Sequence, residues 1–141
     1  MTAVVGAGVL AERIIERMQA GDFDGLVALY RADVVFDANV PSWRYQLQGR
    51  EAVAEQFREE LAPTAGGARV SALRWHAIDA GVVVEDEVRF TDAGGEERLW
   101  REVHLFHTDG EAVTEHVVYC TGVWDAATIA RHAVEAPMVR R

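Results

Sequence analysis

Glu102, His104 and His116 are side chains of the kinds that move protons, two on one extended run and the third on the next. A carboxylate beside an imidazole orients the ring and raises its pKa, which suits general acid–base work near neutral pH. Strand register decides which of them meet. Thr108-Asp109-Gly110 fits a three-residue hairpin loop with glycine in the left-handed position. That register pairs His107 with Glu111, Phe106 with Ala112, His104 with Thr114, Glu102 with His116 and Trp100 with Val118. Glu102 and His116 are then the expected acid–base pair. The plainer reading is an exposed cross-strand ion pair, worth about 0.2–1 kcal/mol. Asp37 is a second candidate base, where an extended piece leaves the helical layer. A slip of one residue makes it a turn aspartate instead. Asn39, ahead of Val40-Pro41, is suited to binding a substrate oxygen or to making a turn.

The turn Asp79-Ala80-Gly81, read in the same way, pairs Arg74 with Asp86. Pairing Phe90 with Arg98 sets Asp86 beside Glu102. A polar row of Arg74, Asp86, Glu102 and His116 then crosses four strands, framed by Val84, Val88, Trp100, Phe106 and Val118. Arg74 and Asp86 are expected to be a buried pair, because an unpaired buried charge is expensive. Trp43, Tyr45, Trp100 and Phe106 alternate with polar residues and line either an apolar cavity or plain core. Glu102, His104 and His116 also make a two-histidine, one-carboxylate set, but nothing in their spacing demands a metal, and none is expected. Cys120 has no basic neighbour to activate it and reads as a structural thiol. His107 and His132 read as surface residues. Gly6-x-Gly8-x-x-Ala11 has no strand before it, so it is not a dinucleotide loop.

The elements that must position these groups run helices first, strands after. Leu10, Ile14, Ile15 and Met18 give one helical stripe over Gly8 to Met18. Asp22 caps a second short helix with Phe23, Leu26, Val27 and Tyr30 on one face. Val34-Val35-Phe36 reads as a short strand and Trp43 to Gln48 as another. Gly49 admits a third helix, Arg50 to Leu61, burying Val53 and Phe57. Four strand runs follow, Arg69–Asp79, Val82–Thr91, Glu97–His107 and Glu111–Val123, divided by glycine-bearing turns. Asp125 caps a last helix, Ala126 to Val134, which Pro137 ends. The order predicts an α+β fold with an antiparallel meander.

The 141 residues suit a single domain over 1–141, half of them apolar. A net charge of −9 argues against nucleic-acid and anionic-membrane partners. The apolar opening run reaches Glu12 well short of the roughly 18 residues of a membrane span. One cysteine excludes an intrachain disulfide, and a cytoplasmic protein is expected.

Three stretches carry a family resemblance. Leu29-Tyr30-Arg31-Ala32-Asp33-Val34-Val35-Phe36 is similar to the helix-to-strand passage of nuclear transport factor 2-like proteins. Gly49-Arg50-Glu51-Ala52-Val53 resembles the start of their third helix. Val103-His104-Leu105-Phe106, with Asp109-Gly110 and Glu115-His116, resembles their closing hairpin. The resemblance implies a cystatin-like cone, a curved antiparallel sheet wrapped on N-terminal helices around a pocket, and frequent homodimers. Its relatives include SnoaL-like polyketide cyclases, ketosteroid isomerase, limonene epoxide hydrolase and non-catalytic carriers. Asp37-Ala38-Asn39-Val40-Pro41 resembles a passage of the epoxide hydrolase, with Asn39 at its water-binding asparagine. His104 takes the place of an oxyanion-stabilising aspartate of the isomerase, whose base falls near Asp37 or Ala38.

The expectation is therefore a small enzyme that uses no cofactor and acts on a largely apolar metabolite by isomerase, cyclase or dehydratase chemistry. Glu102, His116 and Asp37 would move protons, while His104, Asn39 and Tyr45 would hold an oxygen. Epoxide hydrolysis and non-catalytic ligand binding are the alternatives. Leu99, Val103, Leu105, Val113, Val117 and Tyr119 fall on the opposite sheet face, with Arg101 and Glu115 at its edge. So large an apolar patch predicts a homodimer.

Overall fold

The computed structural model describes residues 2–136 and 138–140, with side chains from residue 8 on. Helix α1 (Thr2–Ala20) buries Leu10, Ala11, Ile14, Ile15 and Met18, one stripe at helical spacing. Helix α2 (Phe23–Val27) is capped by the Asp22 carboxylate, which accepts from the Gly25 N–H at 2.9 Å. Strand β1 (Tyr30–Val40) follows at once, so Tyr30 opens a strand instead of closing a helix face. The remaining elements are β2 (Trp43–Gln48), α3 (Arg50–Leu61), a 3₁₀ turn (Ala62–Thr64), β3 (Arg69–Ile78), β4 (Gly81–Thr91), β5 (Glu97–Thr108), β6 (Val113–Cys120) and α4 (Ala126–Glu135). Gly49, at φ 101°, makes the left-handed step into α3, which buries Val53 and Phe57 as expected. Asp125 caps α4 through the Thr128 N–H, and Pro137 lies outside the described residues. No described helix is long and apolar enough to cross a membrane.

The six strands form one curved, unclosed sheet in the order β2-β1-β6-β5-β4-β3. All neighbours are antiparallel except β1 and β6, which run parallel. Helices α1 to α3 cover its inner face, and the core lies between, built from Met18, Leu26, Phe36, Phe57, Val82, Val84 and Phe106 among others. This is the α+β, cystatin-like architecture that the residues imply.

Register is where sequence and structure part. The β4–β5 pairing is as expected, with Phe90 opposite Arg98 and Asp86 opposite Glu102. The β3–β4 turn has only two residues, Asp79 and Ala80, with Ala80 at φ 54°. Ile78 therefore pairs with Gly81, and Arg74 meets Glu85 instead of Asp86. A slip of one residue turns a side chain to the other sheet face. Arg74 thus stands half exposed in an ion pair with Glu85, while Asp86 stays buried. The β5–β6 connection is longer than the expected loop. The Asp109 carboxylate accepts from the N–H groups of Glu111 and Ala112, and a bulge follows His107. His116 consequently faces Phe106, and Glu102 faces Cys120. The β6 strand is displaced by an even number of residues from the expected pairing, so His116 keeps its face.

Two residues of the anticipated outer patch are in fact buried. Val113 pairs with Tyr30 in the core, and Leu99 forms a bridge with Trp124. Val103, Leu105, Val117 and Tyr119 remain on the outer face, with Tyr119 54% exposed.

Candidate active site

The inner sheet face and α1 to α3 enclose a cavity of about 190 Å³. Its walls are mainly apolar, from Met18, Leu26, Phe36, Phe57 and Val118, with Tyr45 and Trp100 toward the open side. Glu60, Glu102, His104 and His116 supply its polar groups. The last three come from adjacent strands β5 and β6, because each occupies an inward position of the alternation that also buries Phe106 and Val118.

Behind this wall two hydrogen bonds link Tyr30, His116 and His104, and the line ends beside two carboxylates at ion-pair distance. The Tyr30 hydroxyl lies 2.6 Å from His116 Nδ1, and His116 Nε2 lies 2.8 Å from His104 Nδ1. His104 Nε2 then approaches Asp86 Oδ1 at 3.4 Å and Glu102 Oε1 at 3.5 Å. The Trp100 indole N–H donates to Glu102 Oε1 at 2.8 Å and fixes that carboxylate. Tyr30, Asp86, His104 and His116 are all buried, whereas Glu102 keeps 18% of its side chain exposed. Phe106 stacks under His116 with ring centroids 4.2 Å apart, holding its plane.

The electrostatics separate the two imidazoles. Burial alone would lower the His104 pKa, but the Glu102 and Asp86 carboxylates outweigh it and push it up to about 10. His116 has no carboxylate in reach; burial and the His104 charge hold it well below the ordinary histidine value. Burial raises Asp86, against the opposing pull of His104, and raises the Tyr30 phenol well above its usual range.

Counting donors shows what this line can do. With His104 charged, its Nδ1–H donates to His116 Nε2, and His116 Nδ1–H donates to Tyr30. With His104 neutral, the two shared protons point the other way, Tyr30 to His116 and His116 to His104, while the His104 Nε2–H keeps facing the carboxylates. One set of heavy-atom positions serves both states, so a proton gained or lost at His104 is absorbed by reorienting the line.

The expected site residues divide accordingly. Glu102, His104, His116, Trp100 and Tyr45 line the cavity, Asp86 is buried behind His104, and Phe106 is the buried floor beneath His116. Glu102 meets His104, not His116, because of the β5–β6 register. Asp37 is not at the cavity. With Phe36 and Ala38 inward, it faces outward and takes a bidentate pair from Arg44, Nε at 2.9 Å and Nη2 at 2.6 Å. The Arg44 and Gln46 contacts outweigh burial and keep its carboxyl below the usual range. Asn39 shares that face and donates to the Val118 carbonyl at 3.3 Å. Trp43 is 71% exposed and Arg74 is a surface ion pair, so neither lines the cavity. Cys120 does line it, with burial pushing its thiol up to about 12, so it is an unreactive wall.

Two polar groups lie outside the sequence reading. Tyr30 reads as helix core, and nothing in the sequence places its hydroxyl against His116. Glu60 lines the cavity and accepts from the Tyr45 hydroxyl at 2.9 Å. Its position one helical turn after buried Phe57 was the available signal.

The donor atoms of Asp86, Glu102 and His104 lie within 4.8 Å of one another, near enough to share an ion. His116 cannot join that set, since both its ring nitrogens are engaged by Tyr30 and His104.

Residues 11–116 match the family described as SnoaL-like domain. A search of the curated proteins gave no match by sequence. Solved structures show the same fold. A phenazine biosynthesis-related protein of Pseudomonas aeruginosa superposes with TM-score 0.70 at 13% identity, over 98% of this chain and 89% of its own. A nuclear transport factor 2-like protein of Anabaena variabilis gives 0.67 at 17%, over 86% and 90%. A candidate polyketide cyclase of Xanthomonas campestris gives 0.62 at 21%, over 81% and 89%. Identities this low speak to fold alone.

Proposed function

This chain belongs to the SnoaL-like domain family, and from that premise we propose that it is an acid–base enzyme acting without a cofactor on a small, largely apolar molecule. One observation carries the reading: Tyr30, His116 and His104 are joined by hydrogen bonds, and His104 stands at ion-pair distance from two carboxylates, one of which opens on the cavity. Glu102 is the base. It takes a proton from the carbon between the carbonyl and the double bond of a β,γ-unsaturated ketone, and the His104 imidazolium behind it offsets the negative charge of the dienolate. Glu102 then returns the same proton to the far carbon of the dienolate, which moves the double bond into conjugation. The balance is an isomerisation; an enolate formed in the same way and attacking a second carbonyl forms the C–C bond of an aldol cyclisation, with Glu102 giving its proton to the new alkoxide. A general acid or base contributes about 10²–10⁴-fold.

Epoxide hydrolysis is less well served, because Asn39 and Asp37 are committed to the outer face. The alternative class is a binding module that uses the same cavity without turnover.

The test needs no natural substrate. Cyclohex-2-enone in D₂O, followed by NMR, should take up deuterium next to its carbonyl faster with the protein than without it. Glu102→Gln should abolish that excess. Binding of the ketone with no excess exchange would favour the binding module.

We also read the outer sheet face as a homodimer interface. It carries Val103, Leu105, Val117 and Tyr119 among charges of both signs, Arg74, Glu85 and Arg101.

A further inference from the structure

The cavity lining contains two carboxylates, Glu60 and Glu102, and no lysine or arginine. Glu102 already has partners, the Trp100 N–H and His104. Glu60 has only neutral ones, the Tyr45 hydroxyl at 2.9 Å and the Gln56 amide at 3.1 Å, and no cation forms an ion pair with it among the described residues. Tyr45, Phe57 and Trp100 line the same cavity and offer π-faces, which attract cations. An anion entering here would meet the Glu60 and Glu102 carboxylates, and the one positive group in the lining, the His104 imidazolium, is already held by Glu102 and Asp86; Glu60 itself stands at the exposed side of the cavity. The net charge of −9 steers diffusing ligands in the same sense. Size narrows the class further. A volume of about 190 Å³ falls below the roughly 300 Å³ where drug-sized pockets begin, and just above the roughly 150 Å³ that holds benzene.

We propose that the cavity takes a single-ring molecule bearing a protonated amine, its ring among the apolar walls and its ammonium at Glu60. This rests on the reading of the cavity as the substrate site; it disfavours carboxylate-bearing ligands, and a second ring would have to project through the open side. Glu60 is a specificity residue here and takes no part in the proton transfer.

Three matched probes test it on the intact chain: benzylamine, benzyl alcohol and benzoate, titrated by NMR at pH 7. Benzylamine should bind about tenfold more tightly than benzyl alcohol, as expected for one cation contact of this kind, and benzoate should not bind. Glu60→Gln keeps the acceptor for Tyr45 but loses the charge; it should bring benzylamine down to the affinity of benzyl alcohol and leave the alcohol unchanged. Benzoate binding as tightly as the amine would overturn the proposal. So would an amine preference that survives in Glu60→Gln, or naphthylmethylamine binding as tightly as benzylamine. Amine selectivity without deuterium exchange on the ketone would remove the acid–base reading and leave this one standing.

Discussion

His104 Nδ1 and His116 Nε2 lie 2.8 Å apart, so the two imidazoles share a single hydrogen bond and cannot both be protonated in it. The carboxylates of Glu102 and Asp86 decide which ring is charged.

That asymmetry has a pH signature. The folded-state pKa of His104 is raised from 6.5 to about 10. Its stabilising effect is therefore fully present below pH 6.5 and is lost as pH rises toward 10. The melting temperature should fall between those limits, and His104→Gln should flatten the fall. His116 acts oppositely: its lowered pKa opposes protonation of the fold, so acidification below its ordinary value destabilises. Thermal melts across the range check both limbs; an alkaline limb unchanged in His104→Gln would show that this ring is not charged.

Catalysis should follow the line of contacts. On any turned-over ketone, Glu102→Gln and His104→Ala should each reduce kcat by about 10²–10⁴-fold. Tyr30→Phe removes a positioning hydroxyl only. It should shift the pH–rate profile while substrate affinity holds. Asp37→Asn should leave the rate near wild type, because its partner is Arg44 on the outer face. A rate lost in Asp37→Asn and kept in Glu102→Gln would transfer the base to β1.

Asp86 and Arg74 should respond very differently to truncation. Asp86→Ala leaves a buried imidazolium with one carboxylate and should cost about 3–5 kcal/mol. Arg74→Ala removes an exposed ion pair and should cost about 0–1 kcal/mol. Urea denaturation of the two variants measures the difference; equal losses would mean that Asp86 is solvated.

Assembly is tested by placing a charge in the outer face. Light scattering at tens of micromolar, roughly the range in which a standard interface holds, should show a dimer. Leu105→Asp should give a folded monomer with the wild-type circular dichroism spectrum. A wild-type monomer would dispose of the interface.

Much of this was legible in the residues, and the failures have physical causes. Alternation of Val82, Val84, Val88 and Phe90 fixes which side of β4 faces inward but not its register on β5; the pairing of Phe90 with Arg98 is one choice that keeps the sides, and it is the one formed. The β3–β4 register was not legible, because its turn uses Ala80 in a left-handed conformation that its side chain does not advertise. That single residue sent Arg74 outward. The β5–β6 slip is even, so His116 keeps its sheet face although it stands opposite Phe106 instead of Glu102. Asp37 was misplaced although Val34, Phe36 and Ala38 alternate on the inner side. The position between Phe36 and Ala38 points outward once β1 runs unbroken to Val40.

Tyr30, His116, His104 and Asp86 come from β1, β6, β5 and β4, four strands that lie side by side in the sheet. The proton line therefore runs across the strands, with its spacing set by the backbone ladder. Such wiring admits no change of length within those strands, since one added residue would turn a link to the far side. Insertions can be absorbed only beyond the ladder, as in the Asp92–Glu96 turn, where the chain can lengthen without disturbing a single contact of the line.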